Sequence, residues 1–388
     1  MIYQIIIYWG DNLKNSHFLN LCVIIGGKSV EHEISLISGL QSILNIDNEK
    51  YKIHTLYLTK TSEMVYIKNL TSLDYFKDEK NISRYTNCYF TKIKGITYLK
   101  TKYKKIKIDC ALPIVHGKNV EDGTIAALLE FYDIPYISSG ILSSSLSQNK
   151  SLTKRVLKTF GIKMLPHIEI TNTIDQKKIS KILSTFKFPL IIKPNTLGSS
   201  IGIEVVNQKE ELVEKLSKVL KFDQSVIVEE KLTNFTEYNI ACYKEKHKLI
   251  LSNVEEVTSK NDYLTFDDKY NDGGMKNKDK SNRKIPANIS EELLEEIKAT
   301  TNTIYKNLNF KGVIRIDYLY DKETNRLLFN EVNTIPGSLA FYLYEETKFT
   351  ELLDKLIKEA ILSKSQNDSL INSFETNILE IKKLKMKK

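Results

Sequence analysis

The chain has 388 residues, of which 41% are hydrophobic and 27% charged, and this composition is typical of a soluble globular protein. A chain of this length is expected to fold into about two or three lobes. Its early apolar run, Ile5–Trp9, is far shorter than the roughly 20 residues of a membrane-spanning helix. No basic segment precedes that run, so neither a secretory signal nor a membrane association is expected.

The net charge of +9 comes mainly from lysines that are scattered along the chain. Proteins that bind nucleic acid usually concentrate basic and aromatic residues on one face. The only local basic cluster is at the end, Lys382–Lys388. We therefore expect a solvated, basic surface that attracts small anions, and no nucleic-acid partner.

Four cysteines lie far apart in the sequence, without the spacing of a metal site. Most of them fall in apolar or strand-like segments, which favours buried free thiols over disulfides. Such thiols are typical of a reducing compartment, so we expect the protein to be cytoplasmic.

Residues 19–146 read as an N-terminal α/β lobe. An apolar run from Leu19 ends in paired glycines, and residues 29–44 then follow with helical spacing. The same plan returns in an apolar strand at 108–117 and a helix at 124–133. Strand–loop–helix units of this kind predict a parallel sheet.

Residues 147–237 read as a second, central unit. A helix from residue 150 to about 160 leads into strands and an amphipathic helix. Residues 196–206, TLGSSIGIEVV, are predicted to form two strand edges around a glycine-serine turn. The other predicted strands are residues 166–170, 188–194 and 225–232, and the amphipathic helix is residues 208–220.

Residues 238–365 read as a third unit. It contains a polar stretch, residues 260–284, that is long for a loop in a compact domain, and such loops are often functional. A helix at residues 290–308 and two strands, GVIRIDYLY and RLLFNEV, follow. Outside the three units, residues 1–18 are predicted to be an appended or misassigned extension, with a short strand as the alternative, and residues 366–388 a basic tail.

The two late strands carry oxygen-bearing side chains. Strand side chains alternate between faces, so Arg315 shares a face with Asp317, and Glu331 shares one with Asn333. A turn with an odd number of residues would place Asp317 opposite Glu331. Carboxylate and amide oxygens are the ligands that Mg²⁺ prefers, so a magnesium site is predicted. The alternative is a solvated sheet face with incidental salt bridges.

The glycine-serine turn offers a place for phosphate. Backbone N–H groups near Gly198 and the hydroxyls of Ser199 and Ser200 can cradle phosphate oxygens, and Lys193 adds positive charge. The order of residues differs from that of a P-loop, and a plain hairpin turn explains it equally well. Residues 26–33, GGKSVEHE, carry the same ambiguity, because glycines and a serine there can simply cap a helix.

Taken together, these segments resemble the D-alanine–D-alanine ligase family of the ATP-grasp superfamily. The resemblance covers about residues 19–361 and implies an α/β ATP-grasp architecture with an N-terminal substrate lobe, a central ATP lid and a C-terminal catalytic lobe. The motifs that carry it, in chain order, are GGKSVEHEISLISG, VHGKNVEDGT, KPNTLGSSIG, VEEKL, DDKY, IRIDYLY and NEVNTIPG.

The resemblance implies an ATP-dependent ligase that joins two D-alanine molecules for peptidoglycan synthesis. The carboxylate of the first amino acid is phosphorylated, and the amine of the second attacks the acyl phosphate. ATP and Mg²⁺, for which Mn²⁺ can substitute, are the implied cofactors. The implied assembly is a homodimer.

The resemblance also implies roles for residues at matching positions. Glu31 holds the ammonium of the first amino acid and forms a hydrogen-bonded set with Ser199 and Tyr270. Arg315 stabilises the tetrahedral intermediate, and His116 lies in the substrate motif, with capping of the following helix as its alternative. The phosphate lysines are Lys150, Lys193 and Lys269, the adenosine contacts are Glu229, Leu232 and Glu237, and the magnesium ligands are Asp317, Glu331 and Asn333.

Three departures from the family pattern stand out. Asn149 replaces the usual aspartate before Lys150, and the first-lobe loop GKNVEDG contains fewer glycines. Tyr342 stands where the family has a serine that holds the carboxylate of the second amino acid. A related ligase with a different second substrate is therefore one alternative function, and a non-catalytic nucleotide-binding protein is another.

Overall fold

The computed structural model describes residues 18–77, 86–246, 248–257, 283–371 and 373–374. Predictions for Lys269 and Tyr270, for residues 1–17 and for most of the basic tail lie outside these ranges. No helix in the described part of the chain is both long and apolar enough to cross a membrane.

The first sheet is mixed, and it has seven strands in the order β6-β5-β4-β3-β2-β1-β7. The predicted parallel arrangement is confirmed only for β1 with β2 and β7, and the other pairs are antiparallel. Short connections such as Lys94–Gly95 between β4 and β5 explain the difference, because a parallel pair needs a long crossover. The strands are β1 (Leu19–Gly26), β2 (Tyr51–Leu58), β3 (Met64–Ile67), β4 (Thr86–Ile93), β5 (Ile96–Thr101), β6 (Lys105–Lys107) and β7 (Cys110–Pro113).

Three helices accompany this sheet: α1 (His32–Asn45), α2 (Thr124–Phe131) and α3 (Ile141–Gln148). Leu36, Leu40 and Ile43 lie on one side of α1 and are buried in the same core as β1. Their spacing of three and four residues places them on one helical face. That packing fixes the beginning of α1, and with it Glu31, at the edge of the sheet.

The second sheet is antiparallel, with strands in the order β10-β9-β11-β8. Its two covering helices bury Ile182 and Leu216 in a core separate from the first. Of the two strand edges predicted around the glycine-serine turn, only Glu204–Val206 forms a strand. The elements are α4 (Lys150–Lys158), β8 (His167–Thr171), α5 (Gln176–Thr185), β9 (Leu190–Pro194), β10 (Glu204–Val206), α6 (Leu212–Val219) and β11 (Ser225–Glu230).

The third sheet is also antiparallel, with the order β14-β13-β12-β15-β16. Its first strand begins before the predicted start of the third unit at residue 238. The last helix runs past residue 366 and returns to the first lobe, where Leu352 and Leu356 join the core. The elements are β12 (Phe235–Glu245), β13 (Lys248–Val257), β14 (Arg283–Lys284), α7 (Glu291–Asn307), β15 (Ile314–Asp321), β16 (Arg326–Asn333) and α8 (Phe349–Asp368).

All four cysteines are buried and free, as the sequence predicts. Cys22 and Cys110 lie on the neighbouring strands β1 and β7, and burial raises the pKa of both thiols. Buried, protonated thiols are unreactive, so these residues serve the core.

Gly312 marks a close approach between the first and third units. It precedes β15 with φ +64°, and a Cβ there would overlap the carbonyl oxygen of Ile137. Gly95 has a similar φ of +79°, but a Cβ there would meet nothing within 4 Å.

We expect Gly312→Ala to lower the free energy of unfolding by about 2–4 kcal/mol, because backbone strain adds to steric overlap. Gly95→Ala is the matched control and should cost only about 1–2 kcal/mol from backbone strain. Denaturant unfolding of both variants measures the difference. Equal losses would mean that the approach of the two units at Gly312 is not tight.

Candidate active site

A row of polar residues crosses one face of the third sheet. Glu255 on β13 pairs with Asn239 on β12, Asn239 pairs with Asp317 on β15, and Asp317 pairs with Glu331 on β16. Directly opposed residues project from the same face of a sheet. The hairpin residues predicted to bind magnesium are therefore part of a longer polar row.

A β-bulge aligns Asp317 with Glu331. The connection between Asp321 and Arg326 spans residues 322–325, an even number, which by itself would place Asn330 opposite Asp317. The register shifts between Asp317 and Tyr318, and Glu331 moves into line instead. The predicted pairing is confirmed, but a bulge produces it and not an odd turn. Asn330, as the extra residue, lines the neighbouring cleft.

Arg315 offsets the charge of this carboxylate pair. Its Nε and Nη2 donate to the two Asp317 oxygens at 2.7 and 2.8 Å, which is the bidentate geometry of a strong ion pair. Burial alone would lower the pKa of Arg315, but the Asp317 carboxylate holds it above its ordinary value. Asn333 Nδ2 donates to Asp317 at 3.2 Å. The alternative of a solvated face does not apply to Asp317, which is 2% exposed.

The oxygen atoms of Asp317, Glu331 and Asn333 suit a hard cation. The described residues hold no group of three or more His, Cys, Asp or Glu side chains that could enclose a metal. Mg²⁺ does not need such an enclosure, because it keeps several ligands from water and phosphate. A small set of carboxylate and amide oxygens beside an open cleft therefore fits Mg²⁺.

An open cleft lies between the second and third sheets. Its walls combine apolar side chains, including Ile191 and Leu319, with several lysines and carboxylates. A cleft that combines apolar walls with lysines and carboxylates is suited to a base attached to phosphates. The predicted site residues that line it are Lys150, Lys193, Ser200, Leu232, Glu237 and Glu331, together with the unpredicted Glu230, Lys231, Phe235 and Asn330.

Lys150 and Lys193, the two predicted phosphate lysines within the described residues, both line this cleft. Lys150 Nζ donates to the Leu197 carbonyl at 2.6 Å and lies 3.5 Å from Glu331 Oε2. Lys193 Nζ donates to Asn330 Oδ1 at 3.3 Å. The cations thus sit beside the predicted metal ligands, where they can meet the same anion.

Glu229 does not line the cleft, in contrast to its predicted contact with adenosine. Its side chain is fully buried, and its two oxygens accept hydrogen bonds from Lys154 and Lys193. Burial alone would raise the pKa of Glu229, but Lys154 and then Lys193 lower it to about 2. Adjacent strand residues face opposite sides, and Glu230 lines the cleft, with its Oε1 accepting a hydrogen bond from the Lys187 N–H at 2.8 Å.

Glu31 connects the first lobe to the glycine-serine turn. It is the residue before α1, and its carboxylate accepts a hydrogen bond from Ser199 Oγ. A Cβ at Gly198 would lie 3.3 Å from both carboxylate oxygens, so the turn packs directly against them. Burial raises the pKa of Glu31, and the Ser199 hydrogen bond opposes that shift.

His116 binds the third unit and does not cap the helix that follows it. Its Nδ1 lies 2.8 Å from the Ile335 carbonyl, which can only accept, so Nδ1 carries the proton. The other nitrogen, Nε2, is buried without a hydrogen-bond partner among the described residues. Burial lowers the pKa of His116, which favours the neutral ring.

Glu121 forms a second connection that the sequence analysis missed. Its carboxylate accepts from the Gly117 N–H at 3.0 Å, the Ile335 N–H at 2.8 Å and the Thr334 hydroxyl at 3.0 Å. The one sequence feature that could have identified Glu121 is its position within the motif VHGKNVEDGT. Glu121 thus joins the loop that carries His116 to the end of the hairpin.

Tyr342 lies in an unusual segment after the Pro336–Gly337 turn. Ser338, Leu339 and Ala340 have φ of 50°, 53° and 49°, three consecutive left-handed residues without a glycine. Tyr342 is partly buried, and its pKa is raised by burial and then by the nearby Glu255 charge. The Arg315 charge acts in the opposite direction on Tyr342, which places the phenol among the charged residues of the polar row.

Sequence comparison identifies a family that covers most of the chain. The family model described as D-ala D-ala ligase N-terminus matches residues 20–139, and that described as D-ala D-ala ligase C-terminus matches residues 156–358. A D-alanine–D-alanine ligase from Thermosipho melanesiensis is 36% identical over 94% of this chain and 99% of its own length. One from Helicobacter pylori is 35% identical over 95% of this chain and 100% of its own.

Solved structures agree with the sequence comparison. The VanG D-Ala:D-Ser ligase from Enterococcus faecalis superposes with a TM-score of 0.76 at 28% identity, covering 89% of this chain and 100% of that one. The D-alanine–D-alanine ligase from Helicobacter pylori gives a TM-score of 0.70 at 30% identity, covering 88% and 98%. The chain therefore belongs to the D-alanine–D-alanine ligase family of ATP-dependent ligases and has the ATP-grasp fold.

Proposed function

We propose that the protein joins two D-alanine molecules at the expense of ATP, through an acyl-phosphate intermediate. The observation that carries this proposal is the bulged hairpin, which holds Asp317, Glu331 and Arg315 together beside the cleft. Those residues can neutralise a transferring phosphoryl group and an oxyanion in one place. The product would serve peptidoglycan synthesis.

ATP occupies the open cleft. Its base lies in the apolar part, against Leu232 and the strand end at Glu230, with Glu237 positioned for the ribose. Its phosphates point toward Lys150, Lys193 and the glycine-serine turn, where Ser200 lines the wall. We assign Glu230, in place of Glu229, to the adenosine contact, because Glu229 is turned into the core. Lys269 is proposed as a third phosphate lysine.

Asp317, Glu331 and Asn333 hold Mg²⁺, which neutralises phosphate charge when bound. Mn²⁺ offers similar coordination by hard oxygen ligands and can replace it. Arg315 and Lys150 keep the two carboxylates together in the absence of the ion. The protein thereby holds the ligands in position before the nucleotide and its ion arrive.

Glu31 binds the ammonium of the first D-alanine, and Ser199 and Tyr270 keep that carboxylate in place. One oxygen of the first D-alanine carboxylate attacks the γ-phosphorus of ATP, and ADP leaves. The amine of the second D-alanine, after losing a proton, attacks the acyl carbon and releases phosphate. Arg315 stabilises the oxyanion that forms in this step. His116 Nε2, buried without a hydrogen-bond partner among the described residues and affected by the charges of Glu31 and Arg315, would accept a hydrogen bond from the substrate.

Tyr342 holds the carboxylate of the second amino acid, as the family serine is expected to do. A different second substrate, such as D-serine, is the alternative function. The structural likeness to a D-Ala:D-Ser ligase supports this alternative. ATP and metal chemistry would be the same in both cases.

We further propose a cytoplasmic homodimer. The four free, buried thiols are typical of a reducing compartment. Phe131 and Leu142, at α2 and α3, are 78% and 79% exposed and offer apolar surface for a second subunit.

A product assay tests the proposed function. Purified protein is incubated with ATP, Mg²⁺ and D-alanine, alone or with D-serine or D-lactate, and products are separated by mass. We expect D-Ala-D-Ala and an equal amount of phosphate. Mixed products only would favour the alternative function, and no ATP turnover with any acceptor would favour a non-catalytic protein.

Glu331→Ala should lower kcat by about a hundredfold or more, because a metal ligand beside the reacting phosphoryl group is lost. Glu323→Ala, in the exposed turn of the same hairpin, is the matched control and should retain activity. Steady-state phosphate release measures both. Near-normal turnover of Glu331→Ala would contradict the metal assignment.

Ser199→Ala should move the acidic limb of kcat/KM for D-alanine to higher pH. The Ser199 hydrogen bond favours ionised Glu31, so its removal raises the pKa of Glu31 further, and a higher pH is then needed to keep the carboxylate charged. The pH profile of the variant is compared with that of Ser184→Ala, an exposed serine on α5. An unchanged acidic limb in Ser199→Ala would argue against Glu31 as the ammonium site.

A further inference from the structure

Lys154 is a buried cation to which neither the sequence motifs nor the proposed reaction gives a role. It lies on α4, one helical turn after Lys150, and only 1% of its surface is exposed. Lysine is rarely buried to this extent without a specific partner. The residue that pairs with Lys154 indicates the role of this buried charge.

That partner is Glu229, which Lys154 shares with the cleft lysine. Lys154 Nζ donates to Glu229 Oε1, and Lys193 Nζ donates to Glu229 Oε2 at 2.9 Å. Lys193 also donates to Asn330 at the cleft wall. The three charged groups thus form a line from the inside of α4 to the cleft.

The charges in this line add up in a specific way. Lys193 and Glu229 alone would form a neutral pair, and the glutamate that holds the lysine in place would also cancel its attraction for an anion. Lys154 adds a second positive charge, so the group of three carries a net charge of +1. Coulomb interactions are strong in a buried environment, so the net positive charge of these three groups attracts an anion in the cleft.

Burial also explains why an arrangement of three groups is useful. A buried carboxylate with one partner pays a large desolvation cost, and two charge-assisted hydrogen bonds offset it. The two lysines lower the pKa of Glu229 and keep the carboxylate ionised. Burial lowers the pKa of Lys154, and the adjacent Glu229 carboxylate opposes that shift. Lys193 is therefore both fixed in direction and positively charged where it meets the cleft.

We infer that Lys154 is a positioning residue for the nucleotide phosphates. It acts through Glu229, whose charge it balances, so that Lys193 keeps its positive charge toward the cleft. This inference rests on the proposed binding of ATP in the cleft. A role in phosphate binding differs from that of an ordinary core residue, because loss of Lys154 should then weaken binding of the ATP phosphates and leave binding of the base unchanged.

The test compares ligands with and without phosphates. Binding of ATP and of adenosine to Lys154→Met is measured by calorimetry, without metal or amino acids. We expect ATP affinity to fall roughly tenfold, as for the loss of a close charge contact, while adenosine affinity is unchanged. Lys158→Met removes an exposed lysine from the same helix and should change neither.

A second variant separates charge balance from folding. Glu229→Gln in the Lys154→Met background removes the negative charge that would cancel the charge of Lys193, and we expect it to return ATP affinity to within roughly threefold of wild type. Lys154→Arg keeps the charge and should also bind ATP well. Because the double variant removes the buried Glu229 carboxylate together with the buried Lys154 charge, it is informative even where Lys154→Met alone does not fold.

The outcomes are distinct. Equal losses for ATP and adenosine in Lys154→Met would reduce Lys154 to a structural residue, and unchanged ATP binding or a failed rescue by the double variant would also overturn the inference. Absence of ATP binding by the wild-type protein would instead overturn the proposed nucleotide site. The predicted pattern is a loss confined to ATP that the double variant reverses.

Discussion

The structure of the candidate site depends on keeping two carboxylates, Asp317 and Glu331, side by side. Like charges directly opposed across a hairpin repel each other and destabilise the sheet. Here Arg315 on β15 forms a bidentate ion pair with Asp317, and Lys150 at the beginning of α4 approaches Glu331. The compensation requires that the second and third sheets meet at this point. The open cleft beside the pair follows from the same meeting of sheets.

The first lobe contributes through contacts that cross between units. Glu31 accepts a hydrogen bond from Ser199 in the glycine-serine turn, and Glu121 accepts three from the loop before it and the end of the hairpin. Glu31 is buried and Glu121 is partly buried, so losing a partner would leave costly unsatisfied charge. The site therefore holds together as a set of paired charges, and its geometry is fixed before a ligand arrives.

The sequence was sufficient for the family, the order of the elements and the hairpin residues, because alternation and motif order depend on local spacing. It could not locate the bulge, since the even turn between Asp321 and Arg326 by itself predicts a different partner for Asp317. Nor did the sequence indicate that the Glu229 side chain faces the core. Two adjacent glutamates read alike in sequence, and only the pairing of β11 with its neighbours determines which one faces the core.

The segment after the Pro336–Gly337 turn was beyond sequence reasoning for a different reason. Non-glycine residues rarely adopt left-handed backbone, and three in a row persist only when their surroundings impose it. The surroundings here are the first lobe, because Ser338 binds Ser38 and Gln41 of α1 through its N–H and its hydroxyl. Glu31, the proposed ammonium ligand, is the residue immediately before the same helix. With the two amino acids bound as proposed, a single helix would position the first at its beginning and would pack along its side against the segment that leads to the second.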